Sequence, residues 1–167
     1  MDYTTEIKFA KVKPNAIIPS KREGDMGYDI YACFDEAYII INPHETKLIP
    51  TGIASLCDKE YGFIVKERGS TGSKGIAVRC GVIDSNFRGE WFVGLTNTTN
   101  YTLYLLNPHW SNDKFIESNI FAYKCNKGIA QAILVPVPKT DIKEISYEEL
   151  LSHESERGTG ALGSSNK

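Results

Sequence analysis

Five polar clusters interrupt otherwise apolar runs, and most of them share one chemistry. "GVIDSNFRGEW" (81–91) leads two strand-forming aliphatics into Asp84, a polar turn and an Arg-Gly pair. That pattern predicts a hairpin aiming one carboxylate outward. "EGDMGYD" (23–29) ends with Asp29 entering a strand, and "KGIAQ" (127–131) sets Gln131 inside one. "KERGSTGSKG" (66–75) places Arg68, Ser70, Thr71 and Ser73 among three glycines, and the tail adds Arg157, Ser164 and Ser165. Arginine forks, hydroxyls and glycine-flanked backbone N–H groups are what a polyphosphate needs. Taken singly each is weak: a Ser/Gly-rich loop is ordinarily a loop, and an aspartate at a hairpin ordinarily caps a turn.

The elements that must position these clusters are short. Apolar or alternating runs occur at 6–12, 28–32, 37–41, 46–56, 62–67, 75–80, 91–97, 101–106 and 129–138. They are rich in Ile, Val, Tyr, Phe and Thr, with Gly, Asn and Pro between them, which predicts an all-β sandwich or barrel. One short helix is expected at "SYEELL", with Ser146 as its cap and Glu149 at the capping-box position. No internal repeat or dividing linker is visible. The expected organisation is a single β domain over 1–154 and a flexible C-terminal lid over 155–167, because "RGTGALGSSNK" is too rich in Gly and Ser to pack by itself.

The 167 residues suffice for one core, and 41% hydrophobic with 24% charged residues is a globular composition. A net charge of −2 provides no global field for nucleic acid or an anionic membrane, so any bound anion needs a local cluster. No apolar window is long enough to span a bilayer and no signal core opens the chain, so the cytoplasm is the default compartment. Cys33, Cys57, Cys80 and Cys125 are far apart, and His44, His109 and His153 stand alone. A zinc site or disulfide framework is not expected.

In order and wording, the clusters resemble the five motifs of the trimeric dUTPase family, the dUTP pyrophosphatases. "DMGYDIYA" resembles A-G-Y-D-L-x-A, and "ERGSTGSKGI" an Arg-Ser-Ser or Arg-Ser-Gly loop. "GVIDSNFRGE" is similar to G-V-I-D-x-x-Y-R-G-E nearly letter for letter. "KGIAQAILVPV" resembles G-x-R-I-A-Q-L, and "ERGTGALGSS" resembles R-G-x-x-G-F-G-S-T. The resemblance spans about 24–97 and 124–166, and five motifs in order are specific where one would not be. It implies a distorted jelly-roll or β-clip barrel, assembled as a homotrimer with shared active sites.

It also implies an activity: hydrolysis of dUTP to dUMP and pyrophosphate by water attack on the α-phosphorus, with Asp84 as general base. A carboxylate is a weak base at neutral pH, so positioning must do most of the work. Gly81, Val82 and Ile83 would read uracil through backbone groups, with the Phe87 ring under the deoxyribose. Arg68, Gly69 and Ser70 would meet phosphates, and Asp29 and Gln131 ordered or metal-bound water. Arg157 would clamp the terminal phosphate while Leu162, Gly163, Ser164 and Ser165 close over the nucleotide. Mg²⁺ would be held mainly by triphosphate oxygens and water, with no direct protein ligand.

Five positions depart from the family pattern. Gly69 replaces a serine, Phe87 a tyrosine, Gly128 an arginine, Leu162 a phenylalanine that stacks on uracil, and Asn166 a glycine. The stretch 98–123 separates motifs three and four by more than compact members need, as in phage-type dUTPases, which would place the chain in a host cell's cytoplasm. Its aromatics (Tyr101, Tyr104, Trp110, Phe115, Phe121) either contact a protein partner or belong to an extra hairpin and loop covering the barrel, the plainer reading. Two rival functions follow from the same resemblance. One is a catalytically weakened nucleotide sensor or regulator. The other is a dCTP deaminase, which needs a glutamate where Gly94 stands.

Overall fold

The computed structural model describes residues 4–109, 120–156 and 158–160. Among the described residues, twelve short strands form four small sheets around one core, with two short helices. β1 (Ile7–Lys11) pairs antiparallel with β5 (Ile53–Cys57). β3 (Tyr38–Ile41), β10 (Thr102–Leu106) and β11 (Ile120–Lys124) form a second sheet, with β10 central. In the third, β9 (Phe92–Asn97) lies between β4 (Thr46–Pro50) and β7 (Ile76–Arg79). The fourth carries residues of motifs one, three and four: β2 (Gly27–Ile30), β12 (Ala130–Pro136), β6 (Tyr61–Lys66) and β8 (Val82–Ile83), in that order.

Alternation explains the burial. Along β6, Phe63 and Val65 face the core while Ile64 and Lys66 face outward; along β10, Leu103 and Leu105 are fully buried. Phe9 and Phe63 both pack against the Trp91 ring, with centroids 5.7 and 5.0 Å away. Each such aromatic stabilises the core by several kcal/mol through the apolar area removed from water, roughly 25 cal/mol per Å².

The nine expected runs all contain strands, with two differences of detail. The run 46–56 breaks into two strands at Gly52, whose φ is +67°. Ala16 Cβ and Cys33 Sγ would lie 2.8 and 2.9 Å from any Cβ there, so the turn is both left-handed and close-packed. A second helix, α1 (Gly69–Gly72), is a single turn after Arg68. α2 (Tyr147–Ser152) is the expected one, with Ser146 Oγ accepting from the Glu149 amide at 3.1 Å.

Two expectations need correction. The segment 81–91 is not a hairpin: β8 pairs with β6, whereas β9 belongs to another sheet. Trp91 is the reason. It is fully buried, its amide donates to the Ile53 carbonyl at 2.8 Å, and its carbonyl accepts from the Thr51 hydroxyl at 2.7 Å. That anchors the chain on the β4–β5 junction. Likewise, the described part of 98–123 is not an extra hairpin, because β10 and β11 run parallel. Parallel neighbours cannot be joined by a tight turn, and residues 110–119 of this segment lie outside the described residues. Asn97 fixes the entry to this segment: its amide group donates to the Ile41 and Tyr101 carbonyls at 3.0 and 2.7 Å, and its Oδ1 accepts from Thr99.

After β12 the chain leaves the body. Every described residue from 136 to 156 is exposed, including Ile142, Ile145, Tyr147, Leu150 and Leu151. Among the described residues no helix is long and apolar enough to cross a membrane.

Candidate active site

Register brings Asp29 and Gln131 together. They are direct partners across β2 and β12, and Gln131 is also the partner of Lys66 on β6, so the three share the outer face of the sheet. Gln131 Nε2 donates to the Glu67 carbonyl at 2.9 Å. Its Oε1 abuts Gly27 so closely that a Cβ at 27 would collide with it.

Arg68, between β6 and α1, folds back onto this face. Its Nε and Nη2 meet the two Asp29 carboxylate oxygens at 2.8 and 3.2 Å, and its Nη1 donates to the Gly128 carbonyl at 3.1 Å. The Tyr123 hydroxyl donates to the same carbonyl at 2.7 Å. Burial pushes the Tyr123 phenol above its ordinary range, against a smaller opposite effect of the Arg68 charge. Thr71 turns inward. Its hydroxyl accepts from the Arg68 amide and donates to the Arg68 carbonyl, both at 3.1 Å, so it fixes the turn instead of facing a ligand. Gly69 and Ser70 remain exposed beside Asp29, Arg68 and Gln131, lining a cavity of about 690 Å³.

Asp84 lies elsewhere. β8 places Val82 beside Ile64 and Ile83 beside Phe63, so Asp84 emerges exposed at the strand's end. The Phe87 amide closes a tight turn onto the Asp84 carbonyl at 3.1 Å. Arg88 Nη1 braces that turn through the Ser85 and Phe87 carbonyls at 2.7 and 3.0 Å. Glu90 Oε1 accepts from the Gly52 amide at 2.8 Å, tying the far end of the turn to the β4–β5 junction. Ahead of β8, the Gly81 carbonyl accepts from the Val65 amide at 2.6 Å, and a Cβ at 81 would collide with the Val65 carbonyl oxygen. Val82, Ile83 and Asp84 edge a second cavity of about 600 Å³, walled by Ile64, Val135 and Val137.

The two cavities share no lining residue. On β6 the Gln131 register point is Lys66, whereas Ile83 aligns with Phe63 and Asp84 falls one residue further on. Four strand residues lengthwise and two strand spacings sideways separate Asp84 from Gln131 by on the order of 15 Å. One chain therefore joins Asp29, Arg68, Gly69, Ser70 and Gln131, and separately Gly81, Val82, Ile83, Asp84 and Phe87. Arg157, Leu162, Gly163, Ser164 and Ser165 lie outside the described residues. Sequence reasoning missed Tyr123, Arg88 and Glu90; the "RGE" after the turn was the available signal for the last two. Among the described residues no group of three His, Cys, Asp or Glu could hold a metal ion.

An all-β body with an arginine-, hydroxyl- and amide-lined cavity, and a carboxylate edging an apolar cleft, offers the two environments a nucleotide requires: one for phosphates, one for a base. Comparison with known proteins narrows this class. The dUTPase family profile matches residues 13–107. The deoxyuridine 5'-triphosphate nucleotidohydrolase of Nautilia profundicola is 34% identical over 168 residues, covering 97% of this chain and 99% of that protein. Its namesake from Neisseria meningitidis serogroup C is 33% identical, with coverage of 98% and 97%. A mutant dUTPase of Staphylococcus bacteriophage 80alpha, solved with dUpNHpp, superposes with a TM-score of 0.76 at 25% identity, covering 98% of this chain and 100% of that one. The chain belongs to the dUTPase family, and its fold is that family's jelly roll.

Proposed function

We propose that this chain hydrolyses dUTP to dUMP and pyrophosphate, as a homotrimer in which each active site combines residues of different copies. The observation that carries this reading is the separation of the two half-sites on one sheet. A single triphosphate cannot reach Arg68, Ser70 and Gln131 while presenting its α-phosphorus to Asp84 of the same chain. A second copy would supply the missing half. The uncovered apolar surface fits that assembly: among the described residues Val82 is 74% and Ile142 91% exposed, and those from 137 to 156 are all exposed.

In this mechanism Asp84 accepts the proton of the water that attacks the α-phosphorus, held at the cleft edge by the braced turn. Gly81 to Ile83 present backbone donors and acceptors to uracil, and Phe87 lies under the sugar. Arg68, Gly69, Ser70 and Gln131 orient the phosphates. The donor set suits Mg²⁺ bound through phosphate oxygens and water: Asp29 has both oxygens engaged by Arg68, which leaves it able to hold a water but not to cage an ion. The metal would neutralise phosphate charge. Residues 155–167 act as the lid on the 1–154 body, with Arg157 on the terminal phosphate and Leu162, Gly163, Ser164 and Ser165 covering the nucleotide. The setting is cytoplasmic, in a host cell if the gene is viral.

Deamination does not fit. Gly94 is buried in the central strand β9, and a Cβ there would sit 2.9 Å from the Arg79 carbonyl oxygen, which leaves no room for a catalytic glutamate. The test is product analysis with dUTP, dCTP, dTTP and UTP in Mg²⁺, with Asp84→Asn as control. Pyrophosphate and dUMP should appear from dUTP alone and vanish in the control. Binding of dUTP without turnover would instead identify a nucleotide sensor.

A further inference from the structure

Residues 20–26 carry no role in the site described above, although the first motif begins at Asp25, yet their turn forms one wall of the phosphate-side cavity. An antiparallel bridge fixes it there: the Asp29 amide donates to the Ser20 carbonyl at 2.9 Å, so Lys21 and Arg22 follow within two residues of the Asp29 partner. The loop is also internally braced. Lys21 Nζ donates to the Asp25 carbonyl at 2.7 Å and sits 5.5 Å from the Tyr28 ring centre, while Arg22 Nε donates to Asp25 Oδ2 at 2.9 Å.

The two arginines of this cavity differ in what they have left to offer. Arg68 has its Nε and both terminal nitrogens engaged, by Asp29 and by Gly128. Arg22, among the described residues, uses Nε alone, and its side chain is 89% exposed. Its Nη1 and Nη2 form the pair of parallel donors that a phosphate accepts best. Its charge also acts toward the site. The hydrogen bond and charge of Asp25 raise the Arg22 guanidinium above its ordinary value, and the Asp29 carboxylate adds to that rise. Meanwhile position 128, where the motif pattern has an arginine, holds glycine, and its space is taken up against Asp29 and Arg68.

We propose that Arg22 is a further phosphate-binding residue, donating through Nη1 and Nη2 to the terminal phosphates of the bound nucleoside triphosphate and supplying the cation that position 128 lacks. This rests on the function proposed above. Asp25 is its positioning residue, holding Nε so that the two outer nitrogens turn toward the cavity.

Steady-state kinetics on Arg22→Gln, Arg22→Lys and Lys8→Gln tests it; Lys8 lines neither cavity and repeats the charge change elsewhere. Arg22→Gln should raise the KM for dUTP about tenfold with kcat within about twofold, as expected for loss of charge-assisted hydrogen bonds. Inhibition by dUMP, which lacks the terminal phosphates, should be unchanged. Arg22→Lys should be intermediate, and Lys8→Gln should match wild type. An unchanged KM for Arg22→Gln, or dUMP inhibition weakened in step with it, would overturn the proposal. If the wild type hydrolyses no dUTP, the function falls separately, and calorimetry with dUpNHpp still decides Arg22: weaker binding by Arg22→Gln than by wild type supports it, and equal or absent binding overturns it.

Discussion

Arg68 and Asp29 are joined by two parallel hydrogen bonds, Nε to Oδ1 at 2.8 Å and Nη2 to Oδ2 at 3.2 Å. A third bond from Nη1 reaches Gly128, tying motifs one, two and four together at one guanidinium. Gly128 is packed tightly beneath this pair: a Cβ there would lie 3.2 Å from Asp29 Cβ and 3.3 Å from Arg68 Cδ. The arginine missing from motif four is thus accompanied by an ion pair occupying the adjoining space.

Replacing Arg68 with lysine should separate charge from geometry. An ammonium keeps the positive charge but cannot place three fixed donors on Asp29 and Gly128 at once. We expect the KM for dUTP to rise at least about tenfold. The stability loss should stay near about 1 kcal/mol, because the pair is about a third exposed and screened by solvent. Kinetics and thermal unfolding together check this. A wild-type KM in Arg68→Lys would remove Arg68 from phosphate binding.

Gly81→Ala should fail for a different reason. The added methyl would strike the Val65 carbonyl, and the backbone of β6 and β8 would have to part where Val65 donates to Gly81. A loss of about 2–4 kcal/mol in urea unfolding is expected, within the range for forced overpacking with a broken buried hydrogen bond. Turnover should fall with it, since the same turn carries Asp84. An alanine variant as stable as the wild type would show that the loop can shift freely.

Strands were legible where alternation was strong, as in "YGFIVK" and "YTLYLL", because burial on one face writes itself into every second residue. Val82 and Ile83 were legible as strand-forming but not their partner: the 81–91 turn looked like a hairpin because turn chemistry does not say which strand will be paired. Only the burial of Trp91 decides that. Asp29, Arg68 and Gln131 could be grouped from their motifs, but their distance from Asp84 depends on register along β6, which no local pattern encodes. Tyr123 was invisible because its one important contact is with a backbone carbonyl that any residue could have supplied.

Alkaline pH offers a test of the core. Burial pushes the Cys125 thiol up to about 12, and burial raises Cys33 and Cys57 in the same direction. The unfolded chain therefore releases its thiol protons first, binding fewer than the native chain from about pH 9 upward. Stability should be intact below about pH 9 and decline toward about pH 12, by at most about 1.4 kcal/mol per pH unit for one thiol. Urea unfolding at stepped pH checks the slope, and Cys125→Ala should flatten it whatever its effect at neutral pH. An equal slope in the variant would trace the decline to other groups.

Gly69 is the departure that the structure leaves free to reverse. It opens α1 beside the phosphate-side cavity, and a Cβ there would meet no atom within 4 Å. A serine should therefore fit without strain, stabilise the turn by about 0.5 kcal/mol through lost unfolded-state freedom, and add a hydroxyl at the cavity rim. Gly69→Ser should show a higher denaturation midpoint and a KM for dUTP no worse than wild type. If the midpoint rises but the KM worsens, the phosphate must approach the backbone at Gly69 too closely for any side chain. The glycine would then be a requirement of this chain's nucleotide binding and not a loss from the family pattern.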